Sequence, residues 1–301
     1  MYEPVNGREA DMDFEKYKSL DRVNSSFLKV IASKSAKHAF DGKLKSSPAL
    51  NFGTAVHEYL LEQKLPPDPE QIYFVFPGQR RGQAWKDHVA EAAKLGKVAT
   101  TASDFAREVS KRDALIDQLK KIESSLPDLA RKIIYGGTQY ERTILFEFMP
   151  ENGGKAIPAK ARLDIMYDCE DGIYLIADLK TTSGGVSKRD VSNASAQYFY
   201  DLQGAFYLQA AMSLSDNWSL DMLRFNWIFI ESSEPYDVGI YNLGEKGYEN
   251  GRKWLWYSLE KYVDGKRGLI PGQWTGVIED IEIPEYHLFE PSLANLERVA
   301  L

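Results

Sequence analysis

Two stretches, AIPAKARLDIMYDC (156–169) and GIYLIADLKTT (172–182), meet at the turn signal Glu170-Asp171-Gly172 and read as the arms of a β-hairpin. A turn centred near Asp171 sets Asp164 opposite Asp178 across the ladder, with their Cβ atoms about 4.5–5.5 Å apart. Side chains alternate along a strand, so Asp178 and Lys180 project on one side. Two acids and a lysine therefore share one patch.

That patch needs a chemical reason. Like charges facing each other repel and weaken the sheet, so Asp164 and Asp178 call for a cation between them. Mg²⁺ suits such a pair, because it takes one or two carboxylates and fills its other positions with water and substrate phosphate. Lys180 can pair with the acids, position or activate water, or hold the phosphate. The plain alternative is a surface salt bridge between Lys180 and either aspartate. Spacing alone leaves both open.

Moving outward, YERTILFEFMP (140–150) is a further strand ending in the turn Glu151-Asn-Gly-Gly154. Its Glu141 is a third acid able to approach the pair if the strands are neighbours, or else an exposed strand carboxylate. Downstream, ASAQYFYDLQGAFYLQAAMS (194–213) reads as a helix with Tyr200, Gln203 and Tyr207 on one stripe. An amphipathic core stripe is the ordinary reading, but a buried glutamine amide needs hydrogen-bond partners. A strand LRFNWIFIE (223–231), another near 237–242, and a helix over about 247–264 complete this half. Trp254, Trp256 and Tyr257 on that helix are assigned to the core rather than to base stacking.

Upstream of the hairpin, residues 24–41 place Phe27, Leu28, Ile31 and Ala32 at helical spacing, with Asn24 or Ser25 as N-cap. NFGTAVHEYLLEQ (51–63) predicts a second helix carrying His57, and a lone helical histidine is ordinarily structural. QIYFVFP (71–77) reads as a short strand. The stretch from about 82 to 134 holds two or three helices, with Ser103 or Asp104 capping one of them. The pattern predicts an α/β fold, a central mixed β-sheet flanked by helices, in a single domain over 1–301. Within it, about 1–135 is mainly helical, about 136–245 is the sheet core, and about 246–301 is a C-terminal helix and tail.

Composition adds limits. The 301 residues are 44% hydrophobic and 27% charged, enough for a large core. Cys169 is the single cysteine, which excludes an intramolecular disulfide and a cysteine-built metal cluster within one chain. No apolar run approaches the roughly 18 residues of a membrane span, and the N-terminus is too polar for a signal peptide. A cytoplasmic protein with no membrane partner is expected. The net charge of -7 argues against broad coating of nucleic acid but leaves room for a local basic patch.

Asp164 followed by Asp178-Leu179-Lys180 resembles the PD-(D/E)xK nuclease signature. Gly53-x3-His57-Glu58 and Gln203-x3-Tyr207 are similar to the motifs that accompany it in the RecB-like and exonuclease branches. NSSFLKVIASKSAKHAF, NFGTAVHEYLLE, RRGQAWKDH, IADLKTT and DLQGAFYLQAA together resemble the exodeoxyribonuclease VIII (RecE-like) C-terminal nuclease of phages and prophages. These segments run from about residue 22 to 212, roughly two thirds of the chain. Leu163 stands where the signature has proline, a position that varies in the superfamily.

The resemblance implies a restriction-endonuclease-like core and a 5′→3′ exonuclease on linear double-stranded DNA that leaves 3′ single-stranded tails for recombination. It implies Mg²⁺, with Mn²⁺ able to substitute, held by Asp164, Asp178 and His57. Lys180 would assist the attacking water, with Glu141, Gln203 and Tyr207 in the same catalytic set. It implies as partners duplex DNA ends, a separately encoded single-strand annealing protein, and further copies of the chain, since related exonucleases enclose DNA in rings. Lys29, Lys34, Lys37, Arg80 and Arg81 are candidates to grip the DNA backbone, with solvated surface as the alternative. An endonuclease for repair or restriction, or a catalytically inert DNA-binding scaffold, stays open. Relatives with iron–sulfur clusters are excluded by the single cysteine.

Overall fold

The computed structural model describes residues 1–42, 73–124, 130–131, 133, 139–169 and 172–269. In chain order the elements are β1 (Tyr2–Ala10), α1 (Phe14–Ser19), α2 (Ser25–Ser33), α3 (Ala36–Asp41), β2 (Tyr73–Phe76), α4 (Gly82–Lys94), β3 (Val98–Thr101) and α5 (Ala102–Ile122). They continue with β4 (Gln139–Pro150), β5 (Ile157–Asp168), β6 (Tyr174–Thr182), α6 (Lys188–Tyr198), α7 (Tyr200–Met212), β7 (Leu223–Glu231), β8 (Val238–Asn242) and α8 (Glu245–Lys266).

Six strands form one mixed sheet in the order β1-β4-β5-β6-β7-β8, and β2 and β3 form a separate parallel pair. β6 and β7 are the parallel neighbours within the large sheet, and α6 and α7 make the crossover between them. The other neighbours are antiparallel. One face packs Phe146, Phe148, Ile176, Phe225 and Phe229 against α2, α7 and α8. The other packs Ile165, Leu175, Ala177, Leu179, Ile228 and Ile230 against Leu115 and Leu119 of α5. The result is a three-layered α/β arrangement, with the central mixed sheet flanked by helices that the sequence pattern predicted.

The N-terminal third is less purely helical than the sequence suggests. β1 pairs with β4 at the sheet edge, although YEPVNGREA shows neither alternation nor a continuous apolar run. Its pairing comes from backbone hydrogen bonds to β4 rather than from burial of one face. The helix expected over 24–41 is two helices, because Ser35 N-caps α3 by accepting from the His38 N–H. Asn24 N-caps α2, as expected, and Thr101 rather than Ser103 or Asp104 caps α5. The helix expected over 194–213 is also two, broken at Phe199, whose φ of 54° is left-handed.

α7 is buried on every side, which explains why its apolar residues do not form a stripe. It lies between the sheet, α2 and α8. Gly251 permits the closest approach of α8, since a Cβ there would sit 2.1 Å from the Asp201 carbonyl oxygen.

The register of β5 against β6 is the one the turn at Asp171 requires: Ile165 faces Ala177 and Asp168 faces Tyr174. That ladder stops at Ile165, immediately before Asp164. Beyond it β6 follows β7 as far as Thr182, while β5 stays with β4 back to Ile157. The β5 edge left by β6 is taken by Val23, whose N–H donates to the Pro158 carbonyl at 3.0 Å and whose carbonyl accepts from the Lys160 N–H at 2.8 Å. The same point is irregular without a shift of register. Glu141 has a φ of 52°, and side-chain alternation along β5 breaks between Leu163 and Ile165, which enter opposite cores. The sheet thus forks at Asp164, and the start of α2 sits in the fork.

Candidate active site

At the fork, Asp164 loses its ladder partner and substitutes its side chain. Its Oδ2 accepts the Leu179 N–H at 2.9 Å, which fixes the carboxylate against β6. Asp178 follows on the same strand, facing α7, and is 1% exposed. Its Oδ1 accepts from Gln203 Nε2 at 2.9 Å. Its Oδ2 meets the Lys180 ammonium as an ion pair but accepts no well-aligned hydrogen bond.

Gln203 organises the cluster. Its amide NH₂ donates to Asp178 and to the Tyr207 hydroxyl oxygen at 3.1 Å, while its Oε1 accepts from Lys29 Nζ at 2.8 Å. A cation on the oxygen side and a carboxylate on the nitrogen side fix which way the amide points. Every polar atom of this buried amide is partnered, so its place in an apolar helix is explained by the site. Lys29 and Lys180 lie 5.4 and 5.3 Å from the centroid of the Tyr200 ring, which bridges the two cations.

These contacts set the electrostatics. Burial pulls the Lys180 ammonium toward neutrality, but Asp178 and Asp164 outweigh it and the pKa ends above the usual lysine value. Lys29 goes the other way. Burial, reinforced by the nearby Lys180, lowers it from 10.5 to about 8, with Asp178 opposing. Burial beside both aspartates pushes the Tyr207 phenol well up, so it remains a neutral hydroxyl.

Lys29 therefore titrates lower in the folded chain than in the unfolded one. Below about pH 8 it must stay charged in a poorly solvated place, which costs stability. The unfolded chain retains this proton up to about 10.5, so the cost disappears as pH rises from about 8 toward 10.5. Lys29→Met should be more stable than the wild type near pH 7, and that advantage should shrink by on the order of 2–3 kcal/mol toward pH 10. Urea unfolding of both proteins across this range measures the gap, and a constant gap would contradict the assignment.

The structure brings together Asp164, Asp178, Lys180, Gln203 and Tyr207, and adds Lys29 and Tyr200. Sequence reading placed Lys29 among lysines gripping a DNA backbone; it is instead turned inward onto Gln203. Its position on α2 gave no signal for this, because Gln203 lies far along the chain. Glu141 is held by the Arg162 guanidinium in an ion pair, so its carboxylate is already engaged on the neighbouring strand. Among the described residues no group of three His, Cys, Asp or Glu side chains gathers as a metal cluster. Glu141 stands on β4 between the pairs Tyr140–Ile165 and Arg142–Leu163, across from Asp164 on β5, with its carboxylate paired to Arg162. His57 lies outside the described residues.

The remaining basic candidates are scattered. Arg80 pairs with Asp104 at 2.6 Å and stacks over Trp85, so it is not a free cation. Arg81 is exposed at the start of α4, and Lys34 and Lys37 are exposed on α2 and α3. Trp254 and Trp256 are partly buried against the core, as expected, whereas Tyr257 is 45% exposed.

A hard divalent cation fits this donor set. Asp178 Oδ2 is buried without an aligned hydrogen bond, and Asp164 supplies a second carboxylate held at the adjoining strand. Two carboxylates with space for water and phosphate are the coordination Mg²⁺ prefers.

Two acids and a lysine at a sheet fork, steadied by a glutamine from the crossover helix, form a distinctive constellation. A family model described as "PDDEXK-like domain of unknown function (DUF3799)" matches residues 16–278. The chain belongs to that family. The matched span includes β4 to β8 and the helices that carry Lys29 and Gln203. Among solved structures, a candidate exonuclease from Eubacterium rectale is similar at a TM-score of 0.53 and 14% identity, covering 95% of this chain and 98% of its own. At that identity the likeness concerns the fold. A second solved structure, SSO0001, is 14% identical over 70% of this chain and 83% of its own, with a TM-score of 0.30 too low to carry an argument. No curated protein matches the chain. No helix among the described residues is long and apolar enough to cross a membrane.

Proposed function

We propose that this chain is a metal-dependent DNA nuclease acting as a 5′→3′ exonuclease on linear duplex, leaving 3′ single-stranded tails. The observation that carries the reading is the buried Asp178, paired with Lys180 and hydrogen-bonded to Gln203, where the sheet opens beside Asp164. The preference for ends, the polarity and the role in recombination rest on the resemblance of the motifs and not on this geometry.

In hydrolysis, water adds to phosphorus as the bond to the leaving oxygen breaks, and a proton passes to that oxygen. Negative charge grows on the phosphate in the transition state. Lys180, held as an ammonium by Asp178, offsets that charge without reorganising. Gln203 keeps Asp178 in place, and Lys29 keeps Gln203 in place. When bound, a divalent cation, Mg²⁺ with Mn²⁺ as substitute, would be held by Asp164 and Asp178 with His57 as a further ligand, and would polarise the phosphate and supply an activated water. Duplex ends are the proposed substrate, and further copies of the chain and an annealing protein the proposed partners.

Linear and covalently closed duplex, each incubated with the protein and Mg²⁺, test the reading. Loss of the linear form with 5′ label released first, and survival of the closed circle, is the expected result. Rapid cutting of the closed circle would instead favour an endonuclease.

A further inference from the structure

About 1.5 turns along α2 from Lys29, a groove of about 800 Å³ opens between α2, the start of α3 and α8. Lys34, Lys253 and Lys261 line it, together with Asn250, Trp254 and Tyr257. Among the described residues no carboxylate lines it, in a chain whose net charge is -7. Among the described residues none of the three lysines takes part in an ion pair, unlike Lys18, Lys94 and Lys266, whose ammonium groups meet nearby acids. A concentration of unpaired positive charge in an acidic protein asks for an external anion.

The groove is also joined to the active site. Trp254 packs edge-on against Phe199, the left-handed residue that breaks the crossover helices. The next residue, Tyr200, carries the ring beside Lys180 and Lys29. On the other side Trp254 packs edge-on against Tyr257, whose ring is the exposed wall of the groove, with Lys261 Nζ 5.8 Å from its centroid. Five residues of α2 separate Lys29 from Lys34, a rise of about 7.5 Å. A series of packed aromatic rings therefore links the residues beside Lys180 to the wall of the groove.

We propose that this groove binds the sugar–phosphate backbone of the DNA strand leading into the active site, with Lys34, Lys253 and Lys261 as its phosphate contacts. This rests on the nuclease reading and extends it to a named surface. DNA is favoured over an acidic protein because the proposed substrate is itself a polyanion and α2, which lines the groove, also carries Lys29 into the site. The lysines act on affinity and not on the chemical step, since they lie outside the cluster around Asp178.

The test compares the wild type with Lys34→Gln/Lys253→Gln/Lys261→Gln and with a control, Lys94→Gln/Lys120→Gln/Lys121→Gln, whose lysines lie exposed on α4 and α5. Binding of a fluorescently labelled linear duplex is followed in EDTA over a range of salt, and single-turnover cleavage at saturating DNA is followed separately with Mg²⁺. Each phosphate contact contributes about 0.9 to the slope of log affinity against log salt. The groove variant should bind on the order of 10–100-fold more weakly, with a slope shallower by about 2–3, while the control stays near wild type. Its cleavage rate at saturating DNA should match the wild type. Unchanged binding by the groove variant, beside a wild type that binds and cleaves, overturns the groove assignment, returns the surface to another partner such as an acidic protein, and leaves the nuclease reading standing. An equal loss in the control overturns it as well, because the effect is then one of overall charge. A wild type that neither binds nor cleaves the duplex overturns both readings.

Discussion

Asp178→Asn should give a folded protein whose cleavage of linear duplex is at least ~10³-fold slower than wild type. The substitution keeps the shape of the side chain, and its oxygen can still accept from Gln203 Nε2. It removes the negative charge that holds Lys180 and that would hold a cation with Asp164. Asp164 remains as a nearby acid for the Lys180 ammonium once Asp178 is neutral. Loss of activity with retained structure is thus expected, and circular dichroism alongside a digestion time course checks both. Full digestion by this variant would mean that the fork is not the catalytic centre.

Lys180→Met is expected to slow cleavage by ~10²–10³-fold, through loss of the charge that meets the developing transition state. It should also carry a stability signature that Asp178→Asn lacks. Asp178 is 1% exposed, and without Lys180 its Oδ2 becomes an uncompensated buried charge, which costs about 3–5 kcal/mol when one partner of a buried pair is removed. A bound divalent cation would relieve that charge. Lys180→Met should therefore melt well below wild type in EDTA and recover much of the difference in millimolar Mg²⁺. Thermal unfolding with and without metal reads this directly, and a difference that metal does not touch would argue against a cation at Asp178.

Much of this site is visible in the primary sequence because local rules determine it. Glu170-Asp171-Gly172 marks the turn, the alternation in 172–182 assigns faces, and the resulting register holds from Asp168–Tyr174 to Ile165–Ala177, one step short of Asp164 and Asp178. Gln203 and Tyr207 stand out because a polar amide interrupts an otherwise apolar helix. What escapes is decided by tertiary contact. Lys29 looks like any surface lysine until Gln203, 174 residues away, is packed beside it. Glu141 sits at a strand position suited to a third metal ligand, and only the cross-strand Arg162 shows that its charge is engaged. β1 has no apolar face to announce it, since an edge strand can be held by backbone hydrogen bonds alone. The helix break at Phe199 is equally silent, because the left-handed residue is a phenylalanine rather than a glycine. Tyr257 was assigned to the core by the general burial of aromatic residues, and its exposure follows from the way α8 leans against α2 and α7.

The fork also explains how one sheet serves two needs. Pairing of β5 with β6 near the turn brings the two strands together, and its end at Ile165 leaves the Leu179 N–H to the Asp164 carboxylate instead of a backbone carbonyl. Val23 and the start of α2 satisfy the vacated edge, and the same helix delivers Lys29.

The most direct measurement is digestion of an end-labelled linear duplex by the purified wild-type chain, with Mg²⁺ in one tube and EDTA in the other. Release of labelled nucleotide with Mg²⁺ and an intact strand in EDTA is the outcome this site requires. Equal release in both tubes, or none in either, would contradict it.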